Sequence, residues 1–533
     1  MTLLVRDIRL PLGQGEKAAA EKAVKILGVP RGEIAKTGLA KVSVDARKHP
    51  PVLVYTVAVT LKSEGAGREF SRLAPFVSCR EEKPLGAVQK GEKQLKHRPV
   101  VCGMGPAGLF AALLLAREGY RPLILERGPE MNKRAEAVKA FEKTGVLDPN
   151  ANIQFGEGGA GAFSDGKLTT RIGDPLCGFV TDTLLRHGAP AEIAYRQKPH
   201  IGTDLLRRVI AGIRDEIISL GGEALFETAL TGLVYKNGVV SAVKTAQGEI
   251  PCQALVLAVG HSARDTFDML RAAGVPLRAK PFSVGFRAEH LQSDIDRALY
   301  HGATGHPDLP PGEYQLSCHV GGRGVYTFCM CPGGYVCAAA SEEGRTVTNG
   351  MSYHARDGKN ANAAVVVGLL PEDFDGDGWR AVAFQRELEE RAFQMGGGGY
   401  AAPAQNAGAF LKGEKRLCVQ SVVPTYPRGV AEADLGALYP AELTAALRAG
   451  MRNFGKKISG YDAPGAILTG PETRTSSPLR IPRGEDLQCE TVAGLYPAGE
   501  GAGYAGGIMS AAVDGLRCAR ALIETFAPPA DGV

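Results

Sequence analysis

The period of apolar and polar positions divides this chain before any motif is considered. Near the N-terminus, LLVRDIRLPL predicts a strand and EKAAAEKAVKILG an amphipathic helix. LAKVSVDAR and PVLVYTVAVTL predict two more strands, the last almost wholly apolar or β-branched. A polar stretch, CREEKPLGAVQKGEKQLKHRP, reads as a linker. VVCGMGPAGLFAALLLAREGYRPLILERG then predicts a buried strand, a helix over residues 106–117 and a second strand closed by Glu126. In TDLLRRVIAGIRDEIISLGG, Leu205, Leu206, Val209, Ile210, Ile213 and Ile217 form a helical stripe. The strand series that follows turns at Asn237–Gly238 and ends in the buried strand of LVLAVG. From about residue 275 to 460 strict strand–helix alternation is lost, and the four glycines at 396–399 predict a mobile loop or hinge. GLYPAGEGAGYAGGIMSAAVDGLRCAR returns to a strand, a glycine turn and a helix ending near Leu522.

These patterns predict an α/β protein with four segments. They are a small α+β module and linker (1–95), the first part of a Rossmann-like domain (96–275), an inserted α+β substrate or cap domain (276–460) and the C-terminal return of the Rossmann-like domain (461–533). A chain of 533 residues suits two or three domains. Composition is that of an ordinary globular protein, 44% hydrophobic and 22% charged. A net charge of +5 is small for this length and argues against a nucleic-acid partner. Lys41, Arg47, Lys48 and His49 are read as a solvated basic face. The eleven cysteines, an odd number, point to reduced thiols. The N-terminus lacks the features of a signal peptide, and LFAALLLA is too short to cross a bilayer, so a cytoplasmic setting is expected.

The glycines of the 100–128 segment carry the first chemistry. Gly103 allows a tight turn, Gly105 lets backbone N–H groups approach a pyrophosphate, and Gly108 lets helix pack on strand. Glu126 stands where a carboxylate accepts from ribose hydroxyls. In the C-terminal return, Gly499 and Glu500 occupy the turn and Gly506–Gly507 open a helix whose N-terminus favours anionic density. No metal site is expected: Asp373, Asp375 and Asp377 imitate a calcium loop, but Phe384 occupies the position that needs a bidentate Glu. His261, Ser262, Arg264 and Asp265 are expected to be a helix cap followed by solvated charges, not a nucleophile triad.

With the GxGxxG, the LVLAVG strand and GLYPAGEGAGYAGG in hand, the chain resembles FAD-dependent oxidoreductases of the glutathione-reductase-like superfamily. Within it, the chain is similar to the bacterial FAD-dependent dehydrogenases, or NAD(P)/FAD-dependent oxidoreductases, with a single FAD domain. KVSVDARK, GEGGAGAFSDGKLTTR, TFCMCPGGYV, TNGMSYHARDGKNANAA and TGPETRTSSPLR extend the match over most of the chain. The resemblance implies FAD as cofactor, with Gly103, Gly105 and Gly108 on the pyrophosphate and Glu126 on the adenosine ribose. Glu500 stands where the superfamily usually has aspartate by the ribityl chain or phosphate. Pro106, Ala107, Arg127, Gly158, Gly159, Gly161, Ser164, Gly260, Gly499, Gly506, Gly507 and Ile508 complete the implied cofactor set.

Candidates for catalysis are few. In GEGGAGAFSDGKLTTR, Lys167 or Arg171 can stabilise negative charge on reduced flavin or on substrate. Cys329 and Cys331 offer a C-x-C redox pair, with Cys318 and Cys337 nearby, although buried inert thiols are the commoner state of such residues. Glu472, Arg474, Thr475 and Ser476 are placed near the flavin or an acidic substrate. The expected activity is transfer of hydride or electrons between bound FAD and a small organic substrate, with NAD(P)H as a transient donor because only one glycine fingerprint is present. The alternatives are a flavin-dependent RNA-modifying protein and a flavin-bearing sensor without turnover.

Overall fold

Val52–Leu61 shows why a nearly uniform apolar run is a strand with two unlike faces. Leu53, Tyr55, Val57, Val59 and Leu61 are buried and their neighbours half-buried, and the buried face packs on Ala19, Ala23 and Leu27 of the helix Gly15–Leu27. The computed structural model describes residues 1–47, 49–62, 70–79, 86, 88–170 and 172–530. In the N-terminal module the antiparallel order is Ile34–Asp45, Val52–Leu61, Thr2–Pro11, Val77–Cys79. Arg47 of the basic cluster pairs with Asp45 at 2.7 Å, which reduces the charge offered to any polyanion; Lys48 lies outside the described residues. The linker is partly tied down, since Lys93–Gln94 pairs in parallel with Phe526–Ala527.

A five-stranded parallel sheet carries the glycine motif. Its order is Leu495–Pro497, Leu255–Leu257, Val100–Cys102, Leu123–Leu125, Glu223–Leu225, so strands from distant parts of the chain meet side by side. The helix Pro106–Arg117 is buried from Ala107 to Ala116, because it is sandwiched between this sheet and the closing helix Ile508–Thr525. Gly515 permits that crossing: a Cβ there would lie 2.0 Å from the Ala107 carbonyl oxygen. The helix Thr203–Ser219 buries the predicted stripe, with Leu205 half-buried at its edge. Asn237 (φ 51°) and Gly238 (φ 74°) make the predicted tight turn between Gly232–Lys236 and Val239–Thr245.

The region without alternation is built on a second, seven-stranded sheet. Its order is Ser317–Val320, Arg323–Cys331, Asn360–Leu369, Phe282–Leu291, Ile467–Glu472, Ala402–Asn406, Val430–Glu432. All neighbours are antiparallel except the last pair. Leu443, Leu447, Met451 and Phe454 of the helix Ala441–Lys457 lie in the core that covers it. The 396–399 glycines end the helix Gly378–Met395: the Gly398 N–H bonds the Phe393 carbonyl at 3.0 Å, and positive φ at Gly397 and Gly398 turns the chain toward Ala402–Asn406. Asp377 caps that helix through Trp379 N–H, Asp373 pairs with Arg323 at 2.8 Å and Asp375 with Arg380, so the calcium-like aspartates have structural partners. Among the described residues no helix is long and apolar enough to cross a membrane.

Candidate active site

One cavity joins the two sheets. From the Rossmann-like side it is lined by Gly103, Gly105, Pro106, Ala107, Glu126 and Arg127, and by Gly159, Gly161 and Ser164 of the glycine loop. Gly260, Glu500, Gly507 and Ile508 line it too, as do Lys167, Cys329, Glu472, Arg474 and Thr475. Of the other predicted residues, Gly108 packs the motif helix on its strand, and Gly158 faces Ile210 and Ala162. Gly499 meets Ala107 and donates its N–H to Asp514, while Gly506 is exposed with its N–H on Ser510. Arg171 lies outside the described residues.

The glycines do different work. At Gly103, φ is +98° and a Cβ would lie 2.3 Å from the Ala258 carbonyl oxygen; at Gly108 it would lie 1.8 Å from that of Gly103. The fold itself requires both. Gly105 differs: its φ is −73° and the nearest atom to a Cβ is Gly159 Cα at 3.8 Å. The space beside it belongs to the cavity. Gly260 and Gly507, both with positive φ, likewise face space with nothing within 4 Å.

Glu126 is buried and accepts three backbone N–H bonds, from Met104 (2.8 Å), Gly128 (2.9 Å) and Gly156 (3.1 Å). It therefore ties the motif turn to the glycine loop. Arg134, fully buried, fixes the same loop by donating to the carbonyls of Asn152, Ile153, Gly156 and Glu157 at 2.5–3.3 Å. Arg127 stacks 4.4 Å over Phe155 and pairs with Asp265. Arg264 departs from the expected solvated charge: it is buried and donates to Gln385, and Ser262 contacts His261 Nδ1 at 3.0 Å without capping the helix.

The second sheet contributes buried ions. Arg287, at 0% exposure, uses all five N–H donors: two on Glu472 (2.7 and 2.9 Å), and one each on Asn349, Asn362 and the Cys329 carbonyl. Gly350 makes room for it, since a Cβ there would lie 2.5 Å from the guanidinium. Lys167 donates to the Met330 carbonyl and lies within 4.0 Å of Asp165 and Glu313. Burial pulls Lys167 down, but the negative charge of the Cys331–Cys329 pair, with Glu313 and Asp165, outweighs it and raises Lys167 above its ordinary range. Asp165 is held in turn by Arg356 at 2.5 Å. Sequence reading missed Arg287, Asn349 and Arg356; the visible signal for Arg287 was a charge directly after the largely apolar run FSVGF.

Arg474 forms a second buried pair, with Glu389 at 2.8 Å. Burial raises the Glu389 carboxyl, but Arg474 and Thr473 more than offset this and leave it below its ordinary value of 4.5. A depressed folded value means stability that is full above 4.5 and lost as pH falls through it and through the lower folded value. An acid-unfolding series should accordingly show a shallower acid limb in Glu389→Gln than in wild type; equal limbs would remove Glu389 from this role.

At the C-terminal return, burial pushes Glu500 up to about 7, opposed by a bond from the Gly507 N–H and by Lys280. The helices beginning at Pro106 and Ile508 both present their first turns to the cavity, so two positive dipole ends face one space.

This is the construction of a Rossmann-like nucleotide-binding flavoprotein. Residues 281–475 match the family described as FAD-dependent protein, C-terminal domain-like, and residues 3–60 match a domain of unknown function. An uncharacterized protein of Clostridium beijerinckii is 47% identical over 534 residues, 99% of this chain and the whole of that protein. The chain belongs to this family of FAD-dependent proteins, and FAD is its cofactor. Digeranylgeranylglycerophospholipid reductase 1 of Methanococcoides burtonii is 27% identical over 40% of this chain and 49% of its own length. Among solved structures, the L-amino acid deaminase of Proteus vulgaris is similar at 13% identity with a TM-score of 0.33, covering 84% of this chain and 98% of that one.

Proposed function

We propose that the chain is an oxidoreductase that moves electrons between FAD held in this cavity and a small organic substrate. The observation that carries the reading is the cavity's continuity, from Gly105 and Glu126 of the glycine motif to Lys167, Cys329 and Glu472 on the second sheet. The residues present fit the group. Gly105, Gly260 and Gly507 leave open a cradle that added Cβ atoms would fill. A carboxylate has about four acceptor positions, and the three bonds on Glu126 leave one for a ribose hydroxyl. In this reading Gly103, Gly105, Pro106 and Ala107 hold the pyrophosphate, with Gly159 and Gly161 opposite. Glu126 and Arg127 hold the adenosine, and Gly260, Glu500, Gly507 and Ile508 hold the far half.

When bound, FAD supplies two-electron redox chemistry. The chain's own residues position and polarise. Lys167 holds a fixed positive charge where negative charge develops, and Asp165, Glu313 and Arg356 hold Lys167 in place. Arg287 and Arg474, each matched by a buried carboxylate, set a stiff floor without adding net charge.

Anaerobic stopped-flow mixing of the holoprotein with NADH and NADPH, followed by a panel of acceptors, tests the reading. The expected result is bleaching of the flavin absorbance by a donor and its return with at least one acceptor. Flavin that is reduced but never reoxidised by any acceptor would instead favour a sensor without turnover.

A further inference from the structure

Cys329 and Cys331 sit where the strand Arg323–Cys331 loses register with Asn360–Leu369, at a slip between Phe328 and Cys331. Cys329 itself is at φ 44°, outside the extended region. The slip sends the two thiols into different surroundings. Cys329 faces the cavity, and Cys331, at 0% exposure, lies in the core. They remain close, because the Cys331 thiol donates to the Cys329 carbonyl at 3.3 Å.

The intervening backbone fixes a cation on each side. Arg287 donates to the Cys329 carbonyl at 2.8 Å and Lys167 to the next carbonyl, that of Met330. The Cys331 side chain, with Arg287 and Lys167, holds Cys329 well below the ordinary thiol range, and Cys331 is held above it by Cys329 and by burial. One member is thus an accessible thiolate and the other a shielded thiol, a division that suits an attacking and a resolving sulfur.

We infer that Cys329 and Cys331 form a dithiol–disulfide couple that exchanges two electrons with FAD bound in the same cavity. The inference rests on the cofactor placement proposed above. In the oxidative direction an S–S bond forms between the two Sγ atoms and the Cys331 S–H bond breaks. Two electrons and that proton pass to the oxidised flavin, which becomes the two-electron-reduced anion; the reverse step restores thiolate, thiol and oxidised flavin.

Anaerobic titration of air-oxidised holoprotein with dithionite tests this, after FAD per chain has been measured. Wild type should take up about two equivalents of dithionite (four electrons) per flavin, and Cys329→Ser and Cys331→Ser about one each. Mass spectrometry of the unreduced, alkylated protein should find the peptide carrying both cysteines unalkylated and lighter by two hydrogens in oxidised wild type. Reduction should restore two alkylation sites. Wild type that carries FAD, takes up only about one equivalent and keeps both thiols alkylatable after oxidation would overturn the couple while leaving the cofactor reading intact. Wild type without FAD would overturn both. The wild-type titration and mass decide the matter even if Cys331→Ser fails to fold.

Discussion

Valine at Gly105 should give a folded chain that purifies without its yellow colour. The backbone there, φ −73° and ψ −179°, admits any residue, and the nearest protein atom to a Cβ is 3.8 Å away. The cost to the fold is then a weaker helix start, a few tenths to about 1 kcal/mol. The added methyl groups instead enter the space assigned to the pyrophosphate. A loss of at least about 100-fold in FAD affinity, near 3 kcal/mol, is expected, read as FAD per chain after desalting and by titration of the apoprotein. Gly108→Ala is the contrast: its Cβ would meet the Gly103 carbonyl oxygen at 1.8 Å, so overpacking should lower stability by about 1–3 kcal/mol or more and lose cofactor with the fold. Gly105→Val that keeps a full complement of FAD would refute the placement.

The second large effect is expected at Arg287. Met in its place would strand Glu472, which is 2% exposed, among Asn349, Asn362 and the Cys329 carbonyl. Breaking a buried pair by removing one partner costs about 3–5 kcal/mol. Chemical denaturation of Arg287→Met, followed by a probe of the second sheet, should show a loss of that size. Removing both charges in Arg287→Met/Glu472→Met should recover most of it, because the uncompensated carboxylate is then gone. A double variant as weak as the single one would show that the hydrogen bonds of Arg287 to the asparagines and the Cys329 carbonyl, not its charge pairing, hold this wall of the cavity.

The Rossmann-like half was legible because its signals are local. Gly103, Gly105 and Gly108, Pro106 at the helix start and Glu126 at the end of the next strand lie within one short segment. The 205–217 stripe and the Asn237–Gly238 turn are also short-range patterns, and the structure contains both. The other half of the cavity depends on partners far apart in sequence. Arg287 meets Glu472, Arg356 meets Asp165, and Arg474 meets Glu389. Each charge was visible, but nothing local says which charges are buried together. Arg264 was taken for a solvated residue for that reason. The Cys329–Cys331 arrangement was hidden by a different cause: period two cannot reveal a slip of register, which is a property of two paired strands. The helix that Asp377 caps and the chain reversal at Gly397–Gly398 similarly became clear only when the flanking elements were placed.

The central claim is that FAD fills the cavity between the two sheets. Its most direct measurement is the identity and amount of flavin released from the purified protein by heat or acid, set beside the same measurement on Gly105→Val. The account predicts about one FAD per chain in wild type and almost none in the folded variant. A folded wild-type chain that carries no flavin and takes up none from an excess of FAD would contradict it.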